Sequence, residues 1–447
     1  MNRKLNYALA FVGIAALSFQ AYGQEKEMQF FRHNDQRGVG IFETPVQDDT
    51  PFNGLYVKLG GHLTQQYQAM WHSNEVAEDS LTSLTKLIHV NNGFNLATAN
   101  MNFDVQLEDG IRVHLVTYLS ARHHPEAWVK GGYIQFDKLT CLNNSTIDNL
   151  MENVTIKIGH MEINYGDAHF MRSDNANALY NPFVGNYIMD AFTTEVAGEI
   201  YWRKNGIITM LGVSEGLIKP DVASFQANTH DPSFYGKIGY EKDPEDGLRW
   251  RVTASHYNAM KSLRNTLYSG DRGGSRYYYM MEAEQTAGRG GVANTSYDSQ
   301  FTSGRWNPGM SNRIAASMFN VFLKYNGLEF FGTYEIADGQ NNGEVNADGE
   351  FATRQYNQLG GEVIYRLGEK EDFYIGARYN SVSGERSVED DQPITITRIQ
   401  AGFGWFIAPG VLAKMNYTTQ DYGDFTSLEK YYNGNFHGFT VEAVIGF

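Results

Sequence analysis

The run from Asn164 to Thr194 holds the residues best suited to act on a charged or polar solute. It reads Tyr165-Gly166-Asp167, His169, Arg172-Ser173-Asp174-Asn175, Tyr180-Asn181-Pro182-Phe183 and Asp190-Ala191-Phe192-Thr193-Thr194. Aromatic and asparagine side chains suit a segment packed on a wall, while Asp167, Arg172, Asp174 and Asp190 are free to face a passage. Charges held in a narrow, partly desolvated space act on a passing ion far more than screened charges on outer loops, because low-dielectric walls focus the field. The basic side chains expected opposite them are Lys58, Arg112, Arg378, Arg398 and Lys414.

Bond-making chemistry is less well served. Gly212-Val213-Ser214-Glu215-Gly216 fits the nucleophile-elbow string, but it ends a strand-like run and meets Pro220 where that motif needs a helix. His169, Ser173 and Asp174 supply triad residue types without evidence of triad geometry. His123, His124 and Glu126 could hold a metal, although isolated surface histidines are commoner. Asp338-Gly339-Gln340-Asn341-Asn342-Gly343 begins like a calcium loop, yet Gly349 stands where the bidentate glutamate belongs and Glu350 comes one place late. With no glycine-rich nucleotide loop and no basic helix, nucleic acid is excluded as a partner. The expectation is a protein that is not an enzyme and needs no cofactor or metal.

The elements that must position these charges alternate with period two, as strands with two unlike faces do. Strands are expected near 54–71, 93–107, 110–121, 127–138, 154–163, 195–204, 206–215, 233–242, 247–260, 313–326, 328–337, 353–367, 371–384, 393–408, 410–421 and 434–447. They make sixteen, an even number. Short connections with turn chemistry, among them Glu108-Asp109-Gly110, Lys204-Asn205-Gly206, Asn326-Gly327 and Ala408-Pro409-Gly410, alternate with mostly longer ones. That asymmetry belongs to transmembrane barrels with short turns on one side and long loops on the other. Residues 139–153 break it, being long where a short turn is due.

Parity separates the faces. Leu55, Val57 and Leu59, then Ile111, Val113 and Leu115, and Val411, Ala413, Met415 and Tyr417 form apolar rows. Trp71, Trp202, Trp250, Tyr257, Tyr325, Tyr334, Tyr379, Trp405 and Tyr417 suit interfacial girdles. The opposite parity carries Lys58, Arg112, Lys157, Arg203, Lys237, Arg249, Arg251, Lys324, Arg378, Arg398 and Lys414 against Asp104, Glu195, Glu199, Glu241, Glu329, Glu335, Glu362 and Glu442. Charges on a barrel wall cannot face hydrocarbon cheaply, so this face is read as a wet, slightly basic lumen. The longest connection, 261–312, is read as a solvated, net basic loop, with Tyr277-Tyr278-Tyr279 able to stack on sugars.

Composition and termini agree. The 447 residues carry a formal charge of −15, 14% aromatic residues and 46 glycines, a mixture unusual for a soluble chain of polar average hydropathy. A barrel reconciles them, since only alternate residues meet lipid. The single Cys141 excludes an intramolecular disulfide framework. Arg3 and Lys4 precede an apolar run from Ala8 to Phe19, and Ala21-Tyr22-Gly23 suits signal-peptidase cleavage before Gln24. At the other end Val441, Ala443, Ile445 and Phe447 alternate with Glu442, Val444 and Gly446.

This last pattern resembles the C-terminal strand of bacterial outer-membrane β-barrels, and the whole run resembles porins related to the phosphate-selective porin O and P group. The resemblance implies an all-β transmembrane antiparallel barrel of about 16 strands, with Asn164 to Thr194 as an inward-folded constriction loop. The expected organisation is a signal peptide over 1–23, a periplasmic or lumenal segment over 24–53 and the barrel over 54–447. It also implies a water-filled channel for small hydrophilic solutes or anions in outer-membrane lipid, assembled through recognition of Phe447 by barrel-insertion machinery, and a homo-trimer. A barrel with a closed lumen, serving as a binding or assembly platform, is the alternative.

Overall fold

The computed structural model describes residues 27–447 apart from 79–81, 83, 95–97, 121–127, 174–176, 217–229, 245–246, 263, 270–275, 285–302 and 388–391. The expected signal peptide over 1–23, Asp174 and the His123, His124, Glu126 group therefore lie outside the described residues. Sixteen antiparallel strands form one closed sheet among them. They are β1 (Tyr56–Ser73), β2 (Thr98–Glu108), β3 (Ile111–Ser120), β4 (Trp128–Phe136), β5 (Val154–Glu162), β6 (Thr194–Lys204), β7 (Ile207–Ser214) and β8 (Ser233–Lys242). The rest are β9 (Arg249–Ala259), β10 (Ile314–Tyr325), β11 (Leu328–Val345), β12 (Phe351–Leu367), β13 (Phe373–Gly384), β14 (Ile394–Ala408), β15 (Val411–Gly423) and β16 (Gly434–Gly446). β1 pairs with β16 from His62 opposite Gly446 to Ser73 opposite Asn435, which closes the barrel so that each of these sixteen strands has a neighbour on both sides.

Turn chemistry sets one rim. Asn205 and Gly206 take φ of 53° and 83°, and Asn326 and Gly327 take 47° and 80°. Two successive positive φ angles make the tight hairpin whose twist matches its strands, and Asn-Gly is the pair that adopts it most cheaply. The expected strand at 93–107 starts at Thr98, and Gly93–Phe94 is a separate two-residue strand against β1. β11 runs on to Val345, so the calcium-like run is mostly strand, with Asp338 opposite Ala315 and Gln355. The long turn at 139–153 contains a helix, α1 (Ser145–Met151), capped by the Asn144 side chain, which accepts from the Thr146 and Ile147 amides.

Alternation divides the wall as the parity reading requires. Leu59, Leu211, Ile238, Phe319, Leu359, Ile375, Ile399 and Val441 are exposed on the outside, and Trp71, Trp202, Tyr325, Tyr334, Tyr379, Trp405 and Tyr417 stand exposed with them. So continuous an apolar belt would cost about 25 cal/mol per Å² in water, so lipid must cover it. Tyr257 corrects the girdle assignment: it shares the inward parity of Arg251, Thr253 and Ser255 and is fully buried inside the barrel.

Candidate functional site

A loop inside a barrel brings its own backbone amides and carbonyls out of bulk water, and each needs a partner. The connection between β5 and β6 enters the lumen and meets this demand along its length. At its start the Asp167 carboxylate accepts from Arg251 Nε at 2.9 Å, Lys237 Nζ at 2.8 Å and Thr253 Oγ1 at 2.7 Å. Its own amide donates to Asn320 Oδ1 at 2.9 Å. Burial pushes this carboxyl up, but the Arg251 and Lys237 charges outweigh burial and hold it well below the ordinary carboxylate range.

Further along, Arg172 and Asp190 clamp the loop on itself, with Arg172 NH2 2.8 Å from Asp190 Oδ2 and the guanidinium 4.0 Å above the Phe192 ring. Here too burial raises Asp190, while Arg172 and then Arg305 bring it below its usual value. The middle of the loop lies on β12–β15. Val184 N donates to Asn416 Oδ1, Ile188 N to Asn380 Oδ1 and Met189 N to Gln358 Oε1. Lys414 Nζ donates to the carbonyls of Ala178, Asn181 and Phe183 at 2.8, 3.0 and 3.1 Å. Arg378 reaches the Gly185 carbonyl and Asn181 Oδ1 while pairing with Glu362, and Arg398 reaches the Asn186 carbonyl at 2.6 Å.

Two other segments occupy the interior. The described parts of 261–312 fold over the inward loop: Tyr277 OH donates to the Val184 carbonyl at 2.9 Å, and Arg276 NH2 to the Ser173 carbonyl at 3.0 Å. This corrects the reading of a solvated loop with sugar-stacking tyrosines, because Tyr277 is wholly buried against Phe436 and Arg276 is nearly so. From the short-turn rim, residues 27–53 cross the mouth. Gln36 N donates to the Pro409 carbonyl, Gln29 binds Gln106 and Asp109, and Arg32 spans the Gly38 and Phe170 carbonyls while stacking 3.8 Å over Tyr180.

What remains between loop, segment and wall is a cavity of about 210 Å³ against β1–β6. Its lining includes His62, Arg112, His114, Lys130, Lys157 and His160 from the strands, with Asp104, Glu162 and His169 as acids and loop histidine. Arg112 donates to Gln135 Oε1 at 2.8 Å and stands 3.7 Å from Asp104, which His114 Nδ1 meets at 2.7 Å. Among the described residues, both ring nitrogens of His62 lack a partner although the side chain is buried. Lys157 lies within about 5.5 Å of the Tyr133 and Tyr201 rings. A second cavity of about 1020 Å³ opens at the short-turn rim between residues 27–50 and Arg203, Arg249 and Arg251.

The described members of the expected site thus fall into four groups. Arg112 lines the inner cavity, while Arg378, Arg398 and Lys414 bind the inward loop and Asp167, Arg172 and Asp190 are paired within it or to the wall. Lys58 lies near the rim, 5.2 Å over the Phe31 ring. The amide row Gln358, Asn380, Gln400, Asn416 and Gln420 and the strand histidines His62, His114 and His160 of the inner cavity were not anticipated. Their inward parity was the available signal. The motifs weighed for catalysis find other partners: the Ser214 hydroxyl donates to the Glu195 carboxylate, and His169 lies against Glu162 and Asn164 rather than Ser173.

No protein-family model matches the sequence, and no curated protein matches it. Among solved structures, the anion-selective porin from Comamonas acidovorans aligns with a TM-score of 0.52 at 9% identity, over 88% of this chain and 100% of that one. The outer membrane channel DcaP of Acinetobacter baumannii aligns with a TM-score of 0.50 at 10% identity, over 88% and 98%. At such identity the likeness shows the fold. Together with the apolar belt, it gives this chain the fold of a transmembrane β-barrel.

Proposed function

We propose that the protein is a bacterial outer-membrane porin that passes small hydrophilic solutes and ions, with a weak preference for anions. The observation that carries this reading is the inner cavity, where Arg112, Lys130 and Lys157 face the lumen beside a loop whose described acids, Asp167 and Asp190, are already paired. An anion entering it meets positive wall charge in a low-dielectric surround, while the acidic surplus of the chain lies elsewhere. The phosphate-selective porin O and P group gives one anion to test, and the anion-selective neighbour is consistent with the same sign. Asp167, Arg172, Asp174, Asp190, Lys58, Arg112, Arg378, Arg398 and Lys414 remain the proposed constriction set, with Arg112 given the leading part.

The test is conductance of purified, heat-modifiable protein in a planar bilayer under a salt gradient. Stepwise conductance with a reversal potential on the anion side is expected; folded protein that never conducts overturns the reading. A closed platform is the second reading, favoured by the fully buried Gln400, Asn416 and Glu442 in the packed half of the lumen. Liposome swelling with small sugars separates the two, since a platform gives none. The proposal includes a homo-trimer in outer-membrane lipid and use of the exposed Phe447 as the insertion signal; a monomer mass in mild detergent removes the trimer.

A further inference from the structure

The two cavities are separated by one stretch of chain. Phe31, Arg32, Phe42, Glu43 and Thr44 line both the inner cavity and the one that opens at the short-turn rim. These five residues belong to no strand and reach the lumen from the rim, so this stretch of residues 27–53 lies between the two spaces.

The manner of attachment differs along the segment. Near its start the contacts are mainly neutral hydrogen bonds from Gln29 and Gln36, some of them to exposed turns. At Glu43 the segment inserts a carboxylate into the wall, where Arg251 NH1 lies 2.8 Å from Oε2 and NH2 3.0 Å from Oε1. Asn164 Nδ2 donates to the same oxygen at 3.2 Å, and Lys237 Nζ is 3.5 Å away. Arg203 holds the adjacent Thr44 carbonyl, and Phe42 packs edge-on against Phe322 and Phe170. Asp167 and Glu241 are the acids that share these cations. One carboxylate therefore ties a non-strand segment to the bonded core of the barrel.

We infer that residues 27–53 form a displaceable septum across the channel, latched by the Glu43 carboxylate in a wall site made by Arg251, Lys237 and Asn164, and that release of this latch joins the two cavities into a through path. The carboxylate occupies a site whose cations would otherwise face the lumen, so a solute anion in the rim cavity competes with Glu43 for Arg251. Closure is then a property of the chain itself, and opening exposes positive wall to the solute. The inference rests on the channel reading above.

The test compares the full-length protein, Glu43→Gln and a chain lacking 27–53 in planar bilayers, each checked for heat-modifiable folding. The full-length channel is expected to dwell closed with brief openings, Glu43→Gln to raise open probability at least tenfold, and the shortened chain to stay open. Trypsin cleavage after Arg32, slow while Arg32 is held against Tyr180, is expected to quicken in Glu43→Gln in step with opening, which tests the latch even if the shortened chain does not fold. Equal open probability and equal cleavage rates in full-length protein and Glu43→Gln overturn the septum but leave the channel reading intact. Folded protein that conducts in none of the three forms overturns the channel reading and this inference with it.

Discussion

Replacing Lys414 with Met asks whether the strongest loop contact is structural or lines a pore. Lys414 is buried, and its ammonium donates to three backbone carbonyls of the inward loop while standing 3.1 Å from Glu442. The methionine keeps an unbranched chain one atom shorter but none of the donors, and it leaves Glu442 without its nearest cation. Breaking one side of a buried pair costs about 3–5 kcal/mol. Arg276 remains 3.5 Å from Glu442 and retains part of its field, which puts the expectation at the lower end, about 3 kcal/mol. That is roughly a hundredfold in the folding equilibrium. Urea unfolding in detergent micelles, followed by tryptophan fluorescence and by gel mobility, measures it. The double variant Lys414→Met, Glu442→Gln should recover only part of the loss, because buried Arg276 then loses the carboxylate 3.5 Å from it. If stability stays within about 0.5 kcal/mol of the parent while the reversal potential moves strongly, Lys414 faces the solute and the anchoring argument fails.

Arg112→Ala should shift the reversal potential toward cations, since Arg112 lines the inner cavity, whereas Arg398→Ala should chiefly lower stability because Arg398 is occupied by loop and turn carbonyls; equal shifts from both would contradict this division. Acid should loosen the lumen. Burial raises Glu43, but Arg251 and then Lys237 hold it well below 4.5, and Asp167 likewise lies below 3.8. Groups depressed in the folded state stabilise it fully above those ordinary values, and the contribution is lost as pH falls through the folded ones. Urea midpoints should therefore vary little with these two groups near pH 7 and drop below about pH 4, less steeply in Glu43→Gln; parallel curves for the two proteins would remove Glu43 from the account. Gly159→Ala should impair assembly, because at φ 145° a Cβ would lie 2.5 Å from the Gly132 carbonyl oxygen and 2.7 Å from Tyr133 Cα, and unimpaired heat-modifiable folding would count against that packing.

The strand count and the wall faces were legible because a barrel wall imposes one rule along its length: period two, lipid on one side and chain or water on the other. Arg112, Lys237, Arg251, Glu335, Glu362 and Glu442 all lie on the inward face that their parity implied. Parity says which way a side chain points and nothing about what it meets. Lys414 and Arg398 are inward like Arg112, yet only Arg112 lines the inner cavity, because the middle of the loop lies on β12–β15 and the cavity is left against β1–β6. The position of the loop depends on its backbone groups finding partners, and a carbonyl has no signature in the sequence. Gln358, Asn380 and Asn416 could be placed on the inward face but not recognised as acceptors for Met189, Ile188 and Val184, since an inward amide would be equally at home against water. The same indifference hid Tyr277 and Arg276. A glycine-rich loop with scattered charge reads as solvated until its arginine is seen spanning Thr64 and the Ser173 carbonyl inside the barrel. The charge that can act in the cavity is carried by the few side chains that the packing leaves facing it, and the total on the wall overstates them.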